Sequence, residues 1–256
     1  MKGPVIRLEN VFYNLGFFAR TLKGAGIFMF RRQTAWHILI LQIFFTFVQA
    51  LGISAMLALG IGAAVNIIGI PFLSQISQEQ RIYTLLIIIV TRELGPLLTA
   101  FIIIARSATA IATEMAGMVI SHEVEAYISI GIDPIEYLAV PRFLGVTISM
   151  FLLNIYFSIF GLAGSFLVAQ LFNAMPGAIY FTNLINALSL HDILLSIIKS
   201  LSFGMVISTV ALIQGFAVQR SSTEVPIAGL RAVGAAFGGC IILDVLLSIL
   251  YIVILR

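Results

Sequence analysis

Apolar residues dominate five long stretches of this chain, and polar residues are concentrated between them. Each stretch is long enough for a membrane-spanning helix, which needs roughly 20 mostly apolar residues. The apolar runs are continuous, whereas the strands of a membrane barrel alternate apolar and polar residues. The pattern therefore predicts an all-α membrane protein with five transmembrane helices, at about 36–66, 82–105, 143–172, 193–217 and 227–255.

The segment before the first span, at about 4–32, has a different pattern. Its apolar residues recur three or four positions apart, and basic residues interrupt them. The apolar set is Val5, Leu8, Val11, Phe12, Leu15, Phe18 and Leu22, and the basic set is Arg7, Arg20, Lys23, Arg31 and Arg32. Such spacing is typical of an amphipathic helix lying in a membrane interface. An ordinary helix packed on protein would have the same spacing.

Two connections between the predicted spans are informative. Residues 66–81, which include Gly69-Ile70-Pro71, are expected to form a short outer loop. Residues 106–142 make the largest polar connection and contain the turn signal Gly131-Ile132-Asp133-Pro134.

A short helix is predicted within the larger connection, from Ser121 to Ile130. Ser121 would be its N-cap, and Glu123 and Glu125 would lie in its first turn. A short exposed helix between two spans suits the docking of a cytoplasmic motor, although inert packing would explain it equally well.

Composition strengthens the membrane assignment. Hydrophobic residues make up 61% of the 256 residues and charged residues only 10%, whereas an ordinary soluble domain has about 25% charged residues. The length allows a single permease domain over 1–256. The lone Cys240 excludes an internal disulfide, and the formal charge of +3 comes without the basic block that binds nucleic acid.

The distribution of lysine and arginine predicts the orientation, because basic segments stay in the cytoplasm. The N-terminal segment is the most basic part of the chain, whereas the connection after the first span has only Arg81 and the connection before the fourth has no lysine or arginine. The N-terminus is therefore expected in the cytoplasm, and five crossings would place Arg256 outside.

Small residues recur four positions apart in several spans. Such stripes let helix backbones approach closely in lipid. The stripes are Ser54, Ala58 and Gly62; Ala108, Ala112 and Ala116; Ser196, Ser200, Gly204 and Ser208; and Ala228, Ala232, Ala236 and Cys240. The last stripe continues to Asp244, whose carboxylate is therefore expected to face protein or a cavity.

Four ionisable residues lie within the predicted spans: Arg92, Glu93, Lys199 and Asp244. Charges there are costly and mark function by default. We predict that Asp244 pairs with Arg92 or Lys199 and that Glu93 pairs with the other cation. Because Arg92 and Glu93 are adjacent on a helix, they are not expected to neutralise each other. Such a network could switch the bundle or clamp it statically.

Motifs for chemistry are missing from the sequence. It has no Gly-x-x-x-x-Gly-Lys-Ser/Thr loop for ATP and no Gly-x-Ser-x-Gly element. His37, His122 and His191 are scattered, so neither a metal site nor a cofactor is expected. We expect a non-catalytic membrane subunit whose ATP hydrolysis, if any, occurs on another chain.

A series of short motifs resembles the MlaE/YrbE permease family, the membrane subunits of Mce-associated lipid ABC transporters. The motifs follow one another over about fifty residues: Arg92-Glu93-Leu94-Gly95-Pro96, Ala105-Arg106-Ser107, Glu114, Gly131-Ile132-Asp133-Pro134 and Val140-Pro141-Arg142-Phe143. Ile198-Lys199-Ser200 and Leu243-Asp244 are similar to the family more loosely.

The resemblance implies a homodimer in the bacterial inner membrane that moves phospholipid or a related lipid to or from the outer membrane. A cytoplasmic ATPase dimer would dock on a coupling segment at about 119–131, a periplasmic Mce-domain protein would cover the outer face, and a STAS-domain regulator is found in some relatives. The resemblance assigns ATPase coupling to Ser121, His122, Glu123, Glu125 and Asp133.

Position alone suggests which residues face the lipid cargo. An outward-open cavity would be lined by Leu57, Ile61, Val65, Leu97, Leu247 and Tyr251. Two other functions remain open on the residues alone: an ion- or proton-coupled carrier that uses the four charges as a relay, and a membrane scaffold subunit.

Overall fold

The computed structural model describes residues 4–30, 36–75, 81–173, 176–219 and 221–254, and these residues contain helices and no strand. Five of the described helices are long and apolar enough to cross a membrane, which confirms the predicted fold class. They are span 1 (Trp36–Ser74), span 2 (Ile82–Ile120), span 3 (Ile135–Phe172), span 4 (Leu190–Phe216) and span 5 (Glu224–Ile254).

Spans 1, 2 and 3 are each built from more than one helical element, whereas spans 4 and 5 are single helices, and further helices lie before and between the spans. The α-helices are α1 (Pro4–Phe30), α2 (Trp36–Thr46), α3 (Leu51–Ser74), α4 (Ile82–Leu86), α5 (Leu94–Ile103), α6 (Thr109–Ile120), α7 (Glu123–Ser129), α8 (Val140–Asn173), α9 (Gly177–Ala187), α10 (Leu190–Phe216) and α11 (Glu224–Ile254). Residues 31–32 of the predicted interfacial segment, 255 of the last span and 76–80 of the outer loop lie outside the described residues.

The outer loop predicted over 66–81 is wrong for its first part. Helix α3 continues through Pro71 and ends at Ser74. Gly69-Ile70-Pro71 is a turn signal in water, but in lipid every backbone group needs a partner within the protein, which favours continued helix. Near the end of the helix, the Ser74 hydroxyl donates to the Pro71 carbonyl at 2.9 Å.

Among the described residues, three wider, π-helical turns interrupt the α-helical path. Two lie in span 2, at Ile87–Glu93 and Ile104–Ala108, and the third opens span 3 at Ile135–Ala139. Such turns are rare, and they occur frequently at functional sites. The first one contains Arg92 and Glu93, so it changes the directions in which these side chains point.

Helix α9 is an element that the hydrophobic pattern did not reveal. It is too short to span a membrane, and it buries Tyr180 and Leu184. The Tyr180 hydroxyl donates to the Leu162 carbonyl at 3.2 Å. Burial raises the pKa of Tyr180 above its ordinary value, which keeps the phenol protonated as a donor.

The chain divides into two compact units. Unit 1 contains Met1–Thr46, Ile103–Ile148 and Gly204–Cys240, and unit 2 contains Phe47–Ile102, Ser149–Phe203 and Ile241–Arg256. Unit 2 has a continuous apolar core in which α9 packs on spans 1, 2 and 3. Its largest members are Leu73, Ile82, Tyr83, Leu86, Ile87, Phe157, Tyr180 and Leu184.

In unit 1, helix α1 packs through aromatic contacts and one ion pair. Phe17 lies 6.1 Å from Phe216 and Phe18 lies 6.3 Å from Phe143, measured between ring centroids. The predicted apolar stripe lies partly on another face, where Leu15 is 58% exposed. That exposed face suits contact with a membrane interface, which remains a prediction. The side chains of Val5, Leu8, Val11 and Phe12 lie outside those described.

The small-residue stripes are buried in the structure. In unit 2, Gly62 of span 1 meets Gly161 of span 3 so closely that a Cβ atom at Gly62 would collide with the Gly161 carbonyl. In unit 1, a Cβ atom at Gly215 would meet Met115 and the backbone of Ala112. The stripes are therefore helix seams, as small residues in lipid usually are.

Replacing Gly62 with alanine tests the tightest seam. Because the new methyl group would meet backbone atoms that cannot rotate away, we expect Gly62→Ala to lower the free energy of unfolding by about 1–3 kcal/mol. Thermal or SDS unfolding of the purified chain in nanodiscs, followed by circular dichroism, measures this change.

The matched control is Gly60→Ala on the same helix. A Cβ atom at Gly60 meets nothing within 4 Å, so this substitution should leave stability unchanged or raise it by up to about 1 kcal/mol through helix propensity. Equal destabilisation by both variants would show that the seam does not limit stability.

Candidate functional site

The four predicted intramembrane charges lie together in unit 2, and a fifth charged residue joins them. We call Arg92, Glu93, Asp192, Lys199 and Asp244 the charge cluster. Span 2 contributes Arg92 and Glu93 from its first π-helical turn, span 4 contributes Asp192 and Lys199, and span 5 contributes Asp244. Three transmembrane helices are thus joined by ion pairs.

Lys199 is the centre of the charge cluster and is fully buried. Its Nζ donates to Glu93 Oε2 at 2.5 Å and to Ser248 Oγ at 2.8 Å. Asp244 Oδ1 lies 2.8 Å from the same Nζ. Its direction does not satisfy hydrogen-bond geometry, so Oδ1 has no hydrogen-bond partner among the described residues. The contact between Asp244 and Lys199 is therefore described as an ion pair.

Arg92 forms the second half of the charge cluster. Its Nε donates to Glu93 Oε1 at 3.0 Å, and its Nη1 donates to Asp192 Oδ1 at 3.2 Å. The guanidinium also lies 5.1 Å from the centre of the Tyr251 ring, which is within cation–π range. The Tyr251 hydroxyl in turn donates to Asp192 Oδ1 at 3.2 Å.

One prediction about these charges is wrong. Arg92 and Glu93 do neutralise each other, although neighbouring residues on an α-helix diverge. The π-helical turn from Ile87 to Glu93 alters that angle, and the long arginine side chain folds back onto its neighbour. The pairing of Asp244 with Lys199 and of Glu93 with Arg92 is present, and Lys199 binds Glu93 as well.

Asp192 was not among the four charges predicted to form a network, and its presence changes the charge balance. Two cations face three carboxylates, so the formal charge of the cluster is −1 rather than zero. A periodicity signal existed, since Asp192 and Lys199 are seven residues apart and share one helix face. Asp244, Ser248 and Tyr251 share a face of span 5 in the same way.

Neutral polar side chains tie the same helices together beside the charges. Asn154 Nδ2 of span 3 donates to Ser196 Oγ of span 4 at 2.9 Å, and Ser196 Oγ donates to the Thr91 carbonyl of span 2 at 2.8 Å. Thr91 lies within the first π-helical turn, where the altered ladder leaves a carbonyl accessible to a side chain. Asn66 of span 1 similarly donates to Ser165 Oγ of span 3 at 2.9 Å.

The predicted coupling segment forms helix α7, with a different cap from the one expected. His122, not Ser121, is the N-cap, and it adopts a left-handed backbone with φ of 60°, which histidine tolerates better than most residues. Ser121 instead donates its hydroxyl to Glu123 Oε1 at 2.9 Å, and His122 Nδ1 lies 2.8 Å from Glu125 Oε2. These local bonds fix the start of α7.

Helix α7 buries none of its residues. Ile128 is 59% exposed, and Ile130 just after the helix is 69% exposed. Behind the helix, the chain turns at Gly131 with φ of +80°, and Asp133 pairs with Arg20 of α1 at 2.5 Å. The segment therefore exposes acidic and apolar side chains, and the ion pair between Arg20 and Asp133 connects the turn after α7 to α1.

The six residues suggested for a substrate cavity do not share one environment. Ile61 and Val65 pack against the apolar core of unit 2. Tyr251 belongs with the charge cluster. Leu57 is exposed, and Leu97 and Leu247 are half-buried.

Comparison with known proteins gives matches that run across most of the chain. A family model described as Permease MlaE matches residues 39–250. A probable ABC transporter permease of Rickettsia typhi is 30% identical over 68% of this chain and 68% of its own length. The intermembrane phospholipid transport system permease protein MlaE of Haemophilus influenzae is 28% identical, over 84% of this chain and 86% of its own length. TRIGALACTOSYLDIACYLGLYCEROL 1, a chloroplastic protein of Arabidopsis thaliana, is 26% identical over 90% of this chain and 63% of its own. Because the family model matches most of the chain and reaches into all five spans, the chain belongs to the MlaE permease family.

Proposed function

We propose that this chain is the membrane subunit of an ABC transporter that moves phospholipids between the bacterial inner membrane and a periplasmic Mce-protein pathway. The match to the MlaE permease family over residues 39–250 is the observation that carries this proposal. The name of the Haemophilus relative supplies the phospholipid cargo. Two copies of the chain would form the lipid path, with the N-terminus of each in the cytoplasm.

ATP would be hydrolysed by a separate cytoplasmic ATPase dimer docked on α7. A coupling element must be exposed and must move rigidly with the helices behind it. Helix α7 has no buried residue, and side-chain bonds from Ser121 and His122 lie at its first turn. Its acidic and apolar side chains suit an ATPase groove with basic and apolar walls. A STAS-domain regulator, where present, would bind the ATPase rather than this chain.

Within the membrane, the charge cluster would act as a switch. Asp244 is held to Lys199 by an ion pair at 2.8 Å whose direction does not satisfy hydrogen-bond geometry, and Lys199 would keep Glu93 and Ser248 as partners if Asp244 moved away. Asp244 also belongs to span 5. Within one copy of the chain, only 6% of the most apolar stretch of this helix is buried, which is the smallest share among the five spans. A helix that is little buried within its own chain and is joined to it by an ion pair could change position during a transport cycle.

The proposed transport is tested by reconstituting the chain with the ATPase that co-purifies with it. Transfer of fluorescent phospholipid between vesicles should require ATP and should stop when the ATPase is omitted. Transport by the chain alone, driven by a pH gradient, would instead support the ion-coupled carrier and would overturn the proposal.

Reversing charge on α7 should weaken ATPase docking. We expect Glu125→Lys to reduce co-purification of the ATPase about tenfold, because a like charge would face the basic groove. Glu136→Lys is the matched control, since Glu136 is also exposed but lies outside α7. Pull-down at two salt concentrations measures the effect, and an equal loss with both variants would argue against docking on α7.

Replacing Lys199 should lower the free energy of unfolding far more than replacing one of its carboxylate partners. Lys199→Met leaves Glu93 and Asp244 without their shared cation, which should lower the free energy of unfolding by about 3–5 kcal/mol. Asp244→Asn leaves Lys199 paired with Glu93 at 2.5 Å, so its effect on stability should be small. Unfolding of both variants in nanodiscs measures the difference.

Asp244→Asn also separates a switch from a static clamp. A switch requires phospholipid transfer to fall about tenfold or more while the folded fraction stays that of the unmodified chain. A static clamp would be identified if the variant transfers phospholipid at the unmodified rate. It would also be identified if the transfer rate falls only in proportion to the fraction of unfolded protein.

A further inference from the structure

Unit 1 contains a pocket of about 460 Å³ that the proposed transport function does not use. It lies between α2, the end of span 2, helix α7 and the start of span 3. The lining side chains are Ile38, Leu41, Gln42, Phe45, Glu114, Met118, Tyr127, Tyr137, Leu138 and Arg142. An apolar pocket of this size with a few converging polar groups is typical of a small-molecule or cofactor site.

One wall of the pocket is apolar and open to the side. Ile38, Leu41 and Phe45 follow one another at three- and four-residue spacing, so they share one face of α2. Leu41 is 40% exposed and Phe45 is 53% exposed. Because α2 is the first part of span 1, we expect this wall to face acyl chains of the bilayer.

The opposite end of the pocket is polar and electrically balanced. Arg142 donates to Glu114 Oε1 at 2.7 Å and to the Leu138 carbonyl at 2.9 Å. The arginine side chain is only 6% exposed, whereas the glutamate side chain is 52% exposed. Tyr127 and Tyr137 stand beside this pair, with ring centroids 5.3 Å apart. The end thus offers one cation, one carboxylate and two phenol groups.

We propose that this pocket binds the head group of a zwitterionic phospholipid, with the acyl chains lying along the α2 wall. The Glu114 carboxylate would bind the lipid ammonium, and Arg142 with the tyrosine hydroxyls would bind the phosphate. The volume accommodates a head group and glycerol but not the chains, which explains why the apolar wall is open. Since Glu114 already neutralises Arg142, an anionic head group would add a negative charge that nothing in the lining balances.

The source of the lipid follows from the orientation proposed above. Residues 36–46 begin span 1 on its N-terminal side, so the pocket would open to the cytoplasmic leaflet. The pocket would bind a lipid in that leaflet whether or not transport follows. The proposal concerns binding without ATP, and its test is therefore independent of whether the chain transports lipid.

The test uses the full chain in nanodiscs that contain equal amounts of phosphatidylethanolamine and phosphatidylglycerol, each as a photo-crosslinkable analogue. Mass spectrometry of the peptide covering residues 36–46 measures which lipid is attached. We expect phosphatidylethanolamine to label this peptide about tenfold more than phosphatidylglycerol, as one charge-assisted hydrogen bond would give. Equal labelling, or a preference for phosphatidylglycerol, overturns the proposal.

Glu114→Gln should reverse the preference, because Arg142 would then lack its carboxylate and the pocket would carry a positive charge. Glu136→Gln removes the same charge from a neighbouring exposed position outside the pocket and should leave the preference unchanged. An unaltered preference in Glu114→Gln, or the same reversal in both variants, overturns the assignment of the ammonium to Glu114.

A second pair of variants does not depend on the buried ion pair. Leu41→Trp places a large ring in the pocket and should reduce labelling at least about fivefold, whereas Ile40→Trp on the adjacent, outward face of α2 should not. Ile40 is 61% exposed and does not line the pocket. Equal labelling of the two variants would show that the lipid binds the outer surface of α2, which overturns the pocket.

Discussion

The ammonium group of Lys199 has no contact with solvent, and the architecture of unit 2 depends on supplying its partners. A fully buried cation needs paired anions and further hydrogen bonds to offset its lost hydration. Glu93, Asp244 and Ser248 provide these contacts, and they come from two other spans. The position of Lys199 on span 4 therefore determines how spans 2 and 5 must approach it.

Close approach of helices is made possible by small side chains and by irregular backbone. Hydrophobic burial does not drive helices together in lipid, so packing and polar contacts decide their association. Gly62 against Gly161 brings two backbones into contact. The π-helical turn from Ile87 to Glu93 places Arg92 and Glu93 in the charge cluster and leaves the Thr91 carbonyl to accept a bond from Ser196. Close glycine contacts between helices and the π-helical turn thus allow the charged side chains to form ion pairs.

Much of this could be predicted from sequence, because lipid imposes simple rules on composition and spacing. Apolar run length gave the spans, four-residue spacing identified the buried stripes, and the cost of intramembrane charge singled out Lys199 and Asp244. The π-helical turns were not predictable, because no residue pattern in this sequence distinguishes them from α-helix. The ion pair between Arg92 and Glu93 was not predicted for that reason. Helix α9 was missed because eleven residues of mixed polarity resemble a loop. Asp192 was overlooked because its place near the start of span 4 suggested an exposed end.

The excess carboxylate in the charge cluster has a further consequence for the membrane region. A net charge of −1 is costly if hydrocarbon encloses it on all sides, because ions gain too little solvation there. The exposure of the side chains follows this requirement: Lys199 is fully enclosed, whereas Asp244 and Glu93 are 18% and 31% exposed. Lys199 thus occupies the enclosed centre of the cluster, and the other four members, Arg92 among them, form its partly exposed edge. In the transporter proposed above, that edge would face water or a polar group of a ligand, and the charge cluster would lie at the boundary between packed protein and a polar space.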